Sequence, residues 1–416
     1  MPNVTVLGAN HQILTLPFDT IQTANIAAQL AAAITQGVES GAIYPFNDTG
    51  QPIPPLPTGY TTGEFIQTRD GFSSLPQGYN DAVITAGHAT LLGSGGDNEA
   101  ILSSGGHLTF IATGGSGTVA AGGATGHGSH GAGGNFIVVP ASDNGNWGIY
   151  TGNGNDTVWA LGGGNDTIAA GGGRNQIVLG SGNDSVQSEG NDTITASDGN
   201  DTITATHGAK DFVLGGSANL FFVGDGGPVT LYGGAGSDTF VGGRGSALVF
   251  GGLGGNNSLV GGTGRASLFG GGAGDQLFAK GTKGQQLTAG IGNETLTAAA
   301  SSGADTLIAA SGLDQLVGGS GSDTFVGGTG ASTMLGGSGH DVFLFVRGIV
   351  GGTDLVENFT SSDKIALQGY GPHAVQDALN SQTVANGSVT ITLPDNTRVT
   401  FAGVSQLTRQ DFLHGH

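Results

Sequence analysis

The chain reads as all-β: a parallel β-roll or β-helix solenoid with a small N-terminal α+β cap and a C-terminal β-hairpin region. Three observations predict this. From Gly318 the sequence runs GGSGSDTFV, GGTGASTML, GGSGHDVFL, and the same unit of nine recurs at Gly233 as GGAGSDTFV followed by GGRGSALVF. A fixed period marks a repeat architecture, in which one unit buries too little alone and stacking supplies the core. Glycine makes up 84 of 416 residues and charged residues only 10%, far from ordinary usage. That glycine is clustered between short apolar runs such as TFV, LVF, SLF and FLF, an alternation of turn and strand too regular for a linker. The eighth residue of the unit is apolar, so Phe240, Phe325 and Phe343 are expected to point inward while glycine turns the chain. Successive units then stack as parallel strands about 4.8 Å apart.

Residues 1–78 read as a cap or assembly segment. Val4–Leu7 and Gln12–Leu16 are two short strands around a turn. Thr20–Glu39 is a helix, because Ile26, Leu30, Ile34 and Val38 recur every four residues beside Ala27 and Ala31. Gln22, Asn25, Gln29 and Gln36 fall on its other side, and Gly41 can end it. The apolar stripe is expected to cap the open end of the repeat stack; packing on a neighbouring subunit is the alternative. Residues 44–60 hold five of the twelve prolines and read as an extended strap.

Residues 79–350 read as the glycine-rich solenoid, at first without the aspartate-bearing unit, with nonapeptides from about 150. The tract Gly126-His127-Gly128-Ser129-His130-Gly131 interrupts it and reads as a protruding loop, with a transition-metal site as the alternative. From Gly152 the units carry aspartate: Asp156, Asp166, Asp184, Asp192 and Asp201, each followed by Thr or Ser and an apolar residue. Asn175 stands where an aspartate would fall. Asp238 follows; the register then holds while the position becomes Ala247 and Ala266. Asp275 sits in a shifted frame, and Asp305, Asp314, Asp323 and Asp341 restore the pattern. Inward apolar positions are expected to survive in the degenerate units, as Leu248, Leu268 and Met334.

The formal charge is −20, and glutamate occurs at only six positions, leaving 25 aspartates. Aspartate concentrated in Gly/Asn turns points to oxygen ligands for a hard cation such as Ca2+, or to aspartate bonding its own turn backbone. The ten aspartates from Asp156 to Asp341 are the candidate ligands. Four lysines and seven arginines, spread out, offer no stripe for nucleic acid. There is no cysteine, hence no disulfide. No apolar run is long enough for a membrane span. The N-terminus MPNVTVLGANHQILTL lacks the pattern of a cleavable signal peptide.

The units fit G-G-x-G-x-D-x-U-x and resemble the RTX repeats of proteins secreted by Gram-negative bacteria. The resemblance covers roughly residues 150–416. It implies that each unit is half a coil of a β-roll, with calcium between the turns of successive coils. It makes Asp238, Asp323 and Asp341, with backbone carbonyls of their glycines, the best ligands. Asp305, Asp323 and Asp341 would form one column and Asp314 would face Ser332 on the other side. Units with Ala247, Ala266 or Ser332 would hold no calcium, so the solenoid is expected to be metal-bound in part only.

Residues 351–416 read as a C-terminal cap and export region. His340–Phe345, Asp354–Phe359 and Asp363–Ile365 look like the closing region of serralysin-type proteases. Ser388–Leu393 and Thr397–Phe401 flank Pro394-Asp395-Asn396 as a β-hairpin. Leu407–Leu413 is similar to uncleaved type I secretion signals. The resemblance implies a secreted, extracellular or surface-associated location and contact with the type I machinery during export.

No H-E-x-x-H, G-x-S-x-G or phosphate-loop motif is present, so the expectation is a non-enzyme. A self-assembling surface layer, filament or biofilm protein is the first reading. An adhesin or carbohydrate-binding module, with a surface polysaccharide as partner, is the second; it would display aromatics, and the tryptophans are Trp147 and Trp159 alone. A polysaccharide-acting β-helix enzyme would need a groove of carboxylates and cations that the sparse lysine and arginine do not suggest. Ice binding would need a Thr-x-Thr plane, for which Thr193/Thr195 and Thr202/Thr204 are the adjacent pairs and Thr295/Thr297 stands apart.

Overall fold

The computed structural model describes residues 2–104, 106–122, 134–217, 219–349 and 351–413. They form two compact units, Met1–Ala218 and Asn219–His416. The His127/His130 tract lies outside the described residues. Among the described residues no helix is long and apolar enough to cross a membrane.

Each unit is a two-sided parallel solenoid. The chain alternates between two ladders, called here sheet I and sheet II, and each strand pairs in parallel with the strand one coil away. In the first unit an inward column of sheet I runs Phe65, Ala82, Ile101, Val119, Ile149, Ile168. The facing column of sheet II runs Leu91, Phe110, Ile137, Val158, Ile177, Ile194. In the second unit the columns are Phe222, Phe240, Leu259, Leu277, Leu296, Leu316, Met334 and Leu231, Val249, Leu268, Leu287, Leu307, Phe325, Phe343. All of these are essentially inaccessible to solvent, and stacked pairs such as Phe325–Phe343, 5.0 Å apart, continue the ladder through their rings. Phe240, Phe325, Phe343, Leu268 and Met334 point inward as the period requires. Leu248 does not: it is 37% exposed and Val249 is the buried residue. The eighth place of GGRGSALVF is Val249, and period two sends its neighbour Leu248 outward.

The first unit starts with a hairpin, β1 (Asn3–Leu7) and β2 (Ile13–Pro17), and helix α1 (Ile21–Ser40). The Thr20 hydroxyl accepts from Thr23 N–H at 3.1 Å and caps the helix. Gly41, at φ 74°, ends it in the left-handed conformation. The solenoid then begins earlier than the proline-rich composition suggested. β3 (Ile43–Asn47) contains Pro45 and pairs in parallel with β4 (Thr62–Gln67). Among the described residues β3 pairs with β4 alone, and an edge strand is where a proline without an N–H can sit. Tyr44–Asn47 are therefore strand, not strap.

Helix α1 does not sit across the end of the stack. Its buried face, Ala24, Ala27, Ala31 and Ile34, joins Val4, Val6, Leu14 and Leu16 of the hairpin over Ile66, Val83, Leu102 and Ala120. Those four are one outward column of sheet I. The reason is in the strands: AVIT, AILS and TVAA are apolar on both alternating faces, the pattern of strands covered on both sides. Gln22, near the helix start, bonds Gln187 of a strand far along the ladder at 3.1 Å, while Gly37, near its end, lies against Ile43. Twenty residues rise about 30 Å, enough for six or seven strand spacings of about 4.8 Å. The helix runs along the flank.

In the second unit both ladders continue through Thr353–Glu357 and Lys364–Gln368. A short helix, α2 (Ala374–Asn380), follows. Ser388–Thr392 and Arg398–Phe401 form the expected antiparallel hairpin, with Arg398–Phe401 also parallel to Thr353–Val356. Leu413 N–H bonds Ile365 O at 2.8 Å, so the described C-terminus returns to the last coil.

The placement of α1 yields a prediction. Ala31→Asp puts an unpaired charge under the helix. Limited proteolysis should then remove residues 1–42 at a rate at least tenfold higher, with the solenoid's far-UV CD kept. Unchanged resistance would show that the helix is not docked through Ala31.

Candidate metal centres

The turns that enter the strands bring the acidic residues into two columns per unit. From Trp147 onward the residues in register at the entry of the sheet I strands form column I: Trp147, Asp166, Asp184 and Asp201, and in the second unit Leu220, Asp238, Asn257, Asp275, Glu294, Asp314, Ser332 and Asp354. Column II precedes sheet II: Leu108, Asn135, Asp156, Asn175, Asp192 and Asp211, then Val229, Ala247, Ala266, Gln285, Asp305, Asp323, Asp341 and Asp363. Neighbours in a column are one coil apart. Asp305, Asp323 and Asp341 thus share one column and Asp314 pairs in register with Ser332. Asp275 is in register with Asn257 and Glu294, not shifted; extra residues are absorbed in the turns and the ladder resumes.

One hydrogen bond builds each column. The carboxylate Oδ1 accepts the backbone N–H of the equivalent residue one coil earlier. Asp323 Oδ1 takes it from Asp305 at 2.8 Å and Asp341 Oδ1 from Asp323 at 2.9 Å. Asp184 takes it from Asp166 at 2.8 Å, Asp201 from Asp184 at 3.0 Å, and Asp238 from Leu220 at 2.8 Å. Asp166 receives Trp147 N–H at 2.7 Å, Asp156 receives Asn135 at 2.6 Å, and Asp314 receives Glu294 at 3.1 Å. Asp192 does the same for Asn175 at 3.1 Å. The side chain thus ties coil to coil at the point where the strand begins.

The second oxygen separates the columns into kinds. In Asp275, Asp314 and Asp323 it accepts a turn N–H four residues back, each at 2.8 Å. In Asp156, Asp184, Asp211, Asp238, Asp305 and Asp354 it is buried without a hydrogen-bond partner. A buried acceptor without a partner costs free energy that a cation would return. At Gly233 a side chain would strike both Asp238 Oδ2 and the Gly251 carbonyl, and at Gly318 it would come 2.8 Å from Asp323 Oδ2 and strike the Gly336 carbonyl. Glycine keeps open a space walled by carboxylate and carbonyl oxygen. These are hard oxygen donors, the kind calcium takes about six to eight of. Among the described residues no three His, Cys, Asp or Glu side chains gather at one point, so backbone carbonyls must complete any such shell.

Where an amide replaces the carboxylate, its NH2 group turns to those carbonyls. Gln285 Nε2 lies 2.7 Å from Gly262 O, 3.2 Å from Gly264 O and 2.6 Å from Lys280 O. Asn175 Nδ2 reaches Ala170 O and Gly171 O at 3.3 Å, and Asn257 Nδ2 reaches Gly254 O at 3.1 Å. A neutral donor takes the place of a cation, and the coil is pinned without charge.

Burial dominates the acidity of the columns. It pushes Asp156, Asp166 and Asp201 up to about 7 and Asp238 and Asp341 up to about 6, against the backbone N–H bonds that oppose it. Asp184, Asp192, Asp305, Asp314 and Asp323 are raised for the same reason. Glu294, a column member missed in the sequence, reaches about 7. At Ser188 the hydroxyl lies 2.6 Å from Asp192 Oδ2 and 2.7 Å from Asp211 Oδ1. The hydroxyl thus joins the two carboxylates, and burial raises both.

All ten candidate aspartates therefore occupy the columns, five in each. The sequence missed Asp211, Asp275, Glu294, Asp354 and Asp363 as members, and the amides Asn135, Asn257 and Gln285. A search for steps of about two repeats instead of one would have found most of them. Thr193/Thr195 and Thr202/Thr204 lie on opposite sheets, so they form no common plane. Trp147 is buried, its Nε1–H bonding Asp143 at 3.1 Å.

Turn columns of buried carboxylates on a two-sided parallel stack define a calcium-binding β-solenoid. A family model described as the RTX calcium-binding nonapeptide repeat matches residues 150–186, 188–219, 214–248, 288–325, 299–334 and 317–348. Over these residues the chain carries RTX calcium-binding repeats, and proteins with such repeats are typically secreted by Gram-negative bacteria. The matches omit residues 249–287, where Ala266 and Gln285 interrupt column II. None of the curated proteins matches the chain.

Two outcomes are expected. Carboxyls raised above their ordinary value of about 3.9 hold more protons folded than unfolded between about pH 4 and pH 7, so the calcium-free protein loses stability as pH rises through that window. Thermal unfolding with chelator should give a higher Tm at pH 5 than at pH 8, and excess calcium should reverse the order, because calcium displaces the protons. A chelated Tm that climbs with pH would contradict burial of these carboxylates. Separately, Asp305→Asn should lower calcium stoichiometry while raising the Tm of the chelated protein, because the amide pins its coil as Asn175 does. Equal stoichiometry would remove Asp305 from the ligands.

Proposed function

We propose that the chain is a secreted, calcium-binding RTX solenoid that assembles with copies of itself as a structural component of the bacterial surface or extracellular matrix. The observation that carries this is the charge distribution of the second unit. Its outward sheet II positions run from Thr230, Tyr232, Leu248 and Phe250 to Thr324, Val326, Val342 and Leu344. Its outward sheet I positions run from Phe221 and Val223 to Thr333 and Leu335. Among the described residues between these limits Lys280, near the end of its sheet I strand, is the one charged outward residue, and the next coil adds Glu357 and Lys364, in a chain of formal charge −20. The charge is confined to turns and ends. Flat, partly exposed, nearly uncharged faces on both sides of one unit allow contact with two neighbours at once, which builds arrays instead of closed dimers. The stacked rings of Tyr232, Phe250 and Phe269, 4.8 Å apart, cover one another's faces, so they make a poor platform for sugar stacking and a good flat ridge for another sheet. Leu407–Leu413 is the segment we assign to type I export.

Electron microscopy and light scattering in calcium test this. The native chain should give arrays or fibres, and Val260→Lys with Val326→Lys, one on each sheet, should give monomers with unchanged CD and calcium content. A native chain that stays monomeric at high concentration would sink the reading.

A further inference from the structure

We propose that one edge of the second unit is a docking strip for a linear polyanion, an acidic polysaccharide. Column II of that unit is interrupted at Val229, Ala247, Ala266 and Gln285, and the turns that enter the last three carry the cations. Arg244, Arg265 and Lys283 lie in three successive turns from sheet I to sheet II, and Lys280 ends the strand before the last of them; all four are exposed. The turns touch: Arg265 O accepts Ala247 N–H at 2.9 Å, and a side chain at Gly264 would meet Arg244 O at 2.6 Å. Four of the chain's eleven lysines and arginines thus fall within forty residues of a chain of charge −20.

None of the four forms an ion pair among the described residues. Asp225, exposed in the preceding turn, meets Arg244 through the backbone, the Arg244 N–H bonding its carbonyl. On this edge the next column carboxylate is Asp305, which is buried. The columns elsewhere use carboxylate; here carboxylate is gone and Gln285 fills the turn with an uncharged amide. A calcium ion beside these cations would raise the positive charge further, so removal of the metal position and gain of the cations are compatible changes that leave a local positive edge on an acidic protein. Such an edge concentrates anions.

The geometry favours a single extended chain. The cations follow one edge at about one per coil of about 4.8 Å, a spacing comparable to one sugar ring, with Arg244, Arg265 and Lys283 three, one and two places before their column II positions. Duplex DNA presents phosphates across a broad groove and would need a wide basic surface; this strip is confined to one turn edge and the strand end beside it. A second copy of this chain offers scattered exposed acids, with its ordered carboxylates buried in the columns, and so no matching row.

Surface-immobilised dextran sulfate, with neutral dextran as blank, is the probe, and the calcium-loaded full chain is the analyte. Binding to dextran sulfate should weaken steeply with salt, as counterion release requires. The variant Arg244→Gln, Arg265→Gln, Lys283→Gln should bind at least tenfold more weakly with a shallower salt slope and unchanged CD and calcium content. Arg398→Gln with Arg409→Gln should bind within twofold of native. If the triple variant misfolds, the single variants should each cost about two- to threefold. The proposal is overturned if the native chain does not bind, if the strip and control variants weaken equally, or if duplex DNA binds more tightly than dextran sulfate. It is also overturned if the triple variant loses self-assembly while keeping dextran sulfate binding. A monomeric native chain that still binds through the strip would leave this proposal standing without the assembly.

Discussion

Everything in the solenoid hangs on carboxylates placed where water cannot reach them. A strand entering the ladder needs its first backbone N–H satisfied, and the nearest acceptor is the side chain one coil onward. Aspartate reaches that N–H with one oxygen, which fixes the coil spacing, and leaves the other oxygen and a negative charge inside. Burial of a charge without compensation costs several kcal/mol. The chain answers in three ways: a turn N–H on the second oxygen, as at Asp323; a shared hydroxyl, as Ser188 gives Asp192 and Asp211; and an open oxygen-walled space, as at Asp238. The last is where calcium brings its own charge, and RTX repeats are the family built around that answer.

The amide positions show the same problem solved without charge. Asn175 and Asn257 keep the acceptor that ties the coils, and they and Gln285 add a donor for the turn carbonyls. Such coils fold without waiting for metal, while carboxylate coils remain costly until protons or cations arrive. The chain therefore mixes coils that are committed by sequence with coils that answer to their surroundings. Val229, Ala247 and Ala266 drop both groups and rely on apolar packing and the ring ladder of Tyr232, Phe250 and Phe269.

Much of this was legible as period. Phe240, Phe325 and Phe343 announce the inward column, because glycine marks the turns at a period of nine; Asp305, Asp323 and Asp341 suit a two-sided coil, but the spacing left a three-sided one open until the ladders were seen. Leu248 was misread because two apolar neighbours, Leu248 and Val249, compete for one inward place and only the register decides. Asp275 and Glu294 were obscured by insertions in turns, which shift sequence spacing without shifting the ladder. The docking of α1 was least legible. Its stripe says only that something apolar covers it; the partner is an outward column made by Ile66, Val83, Leu102 and Ala120, residues scattered over some fifty positions that become neighbours only after the coils stack.

That helix has a consequence for how the first unit comes apart. In a bare stack each coil touches only the coils above and below, so melting can start anywhere and proceed one coil at a time. Helix α1 lies across the coils from Ile43 to the strand of Gln187 and binds many of them at once. Loss of any one loosens the helix from all, so these coils share one transition instead of unzipping in sequence. The second unit carries no such splint among its described residues. It should fray as a series of small steps, whose order is set by which turns have found their calcium.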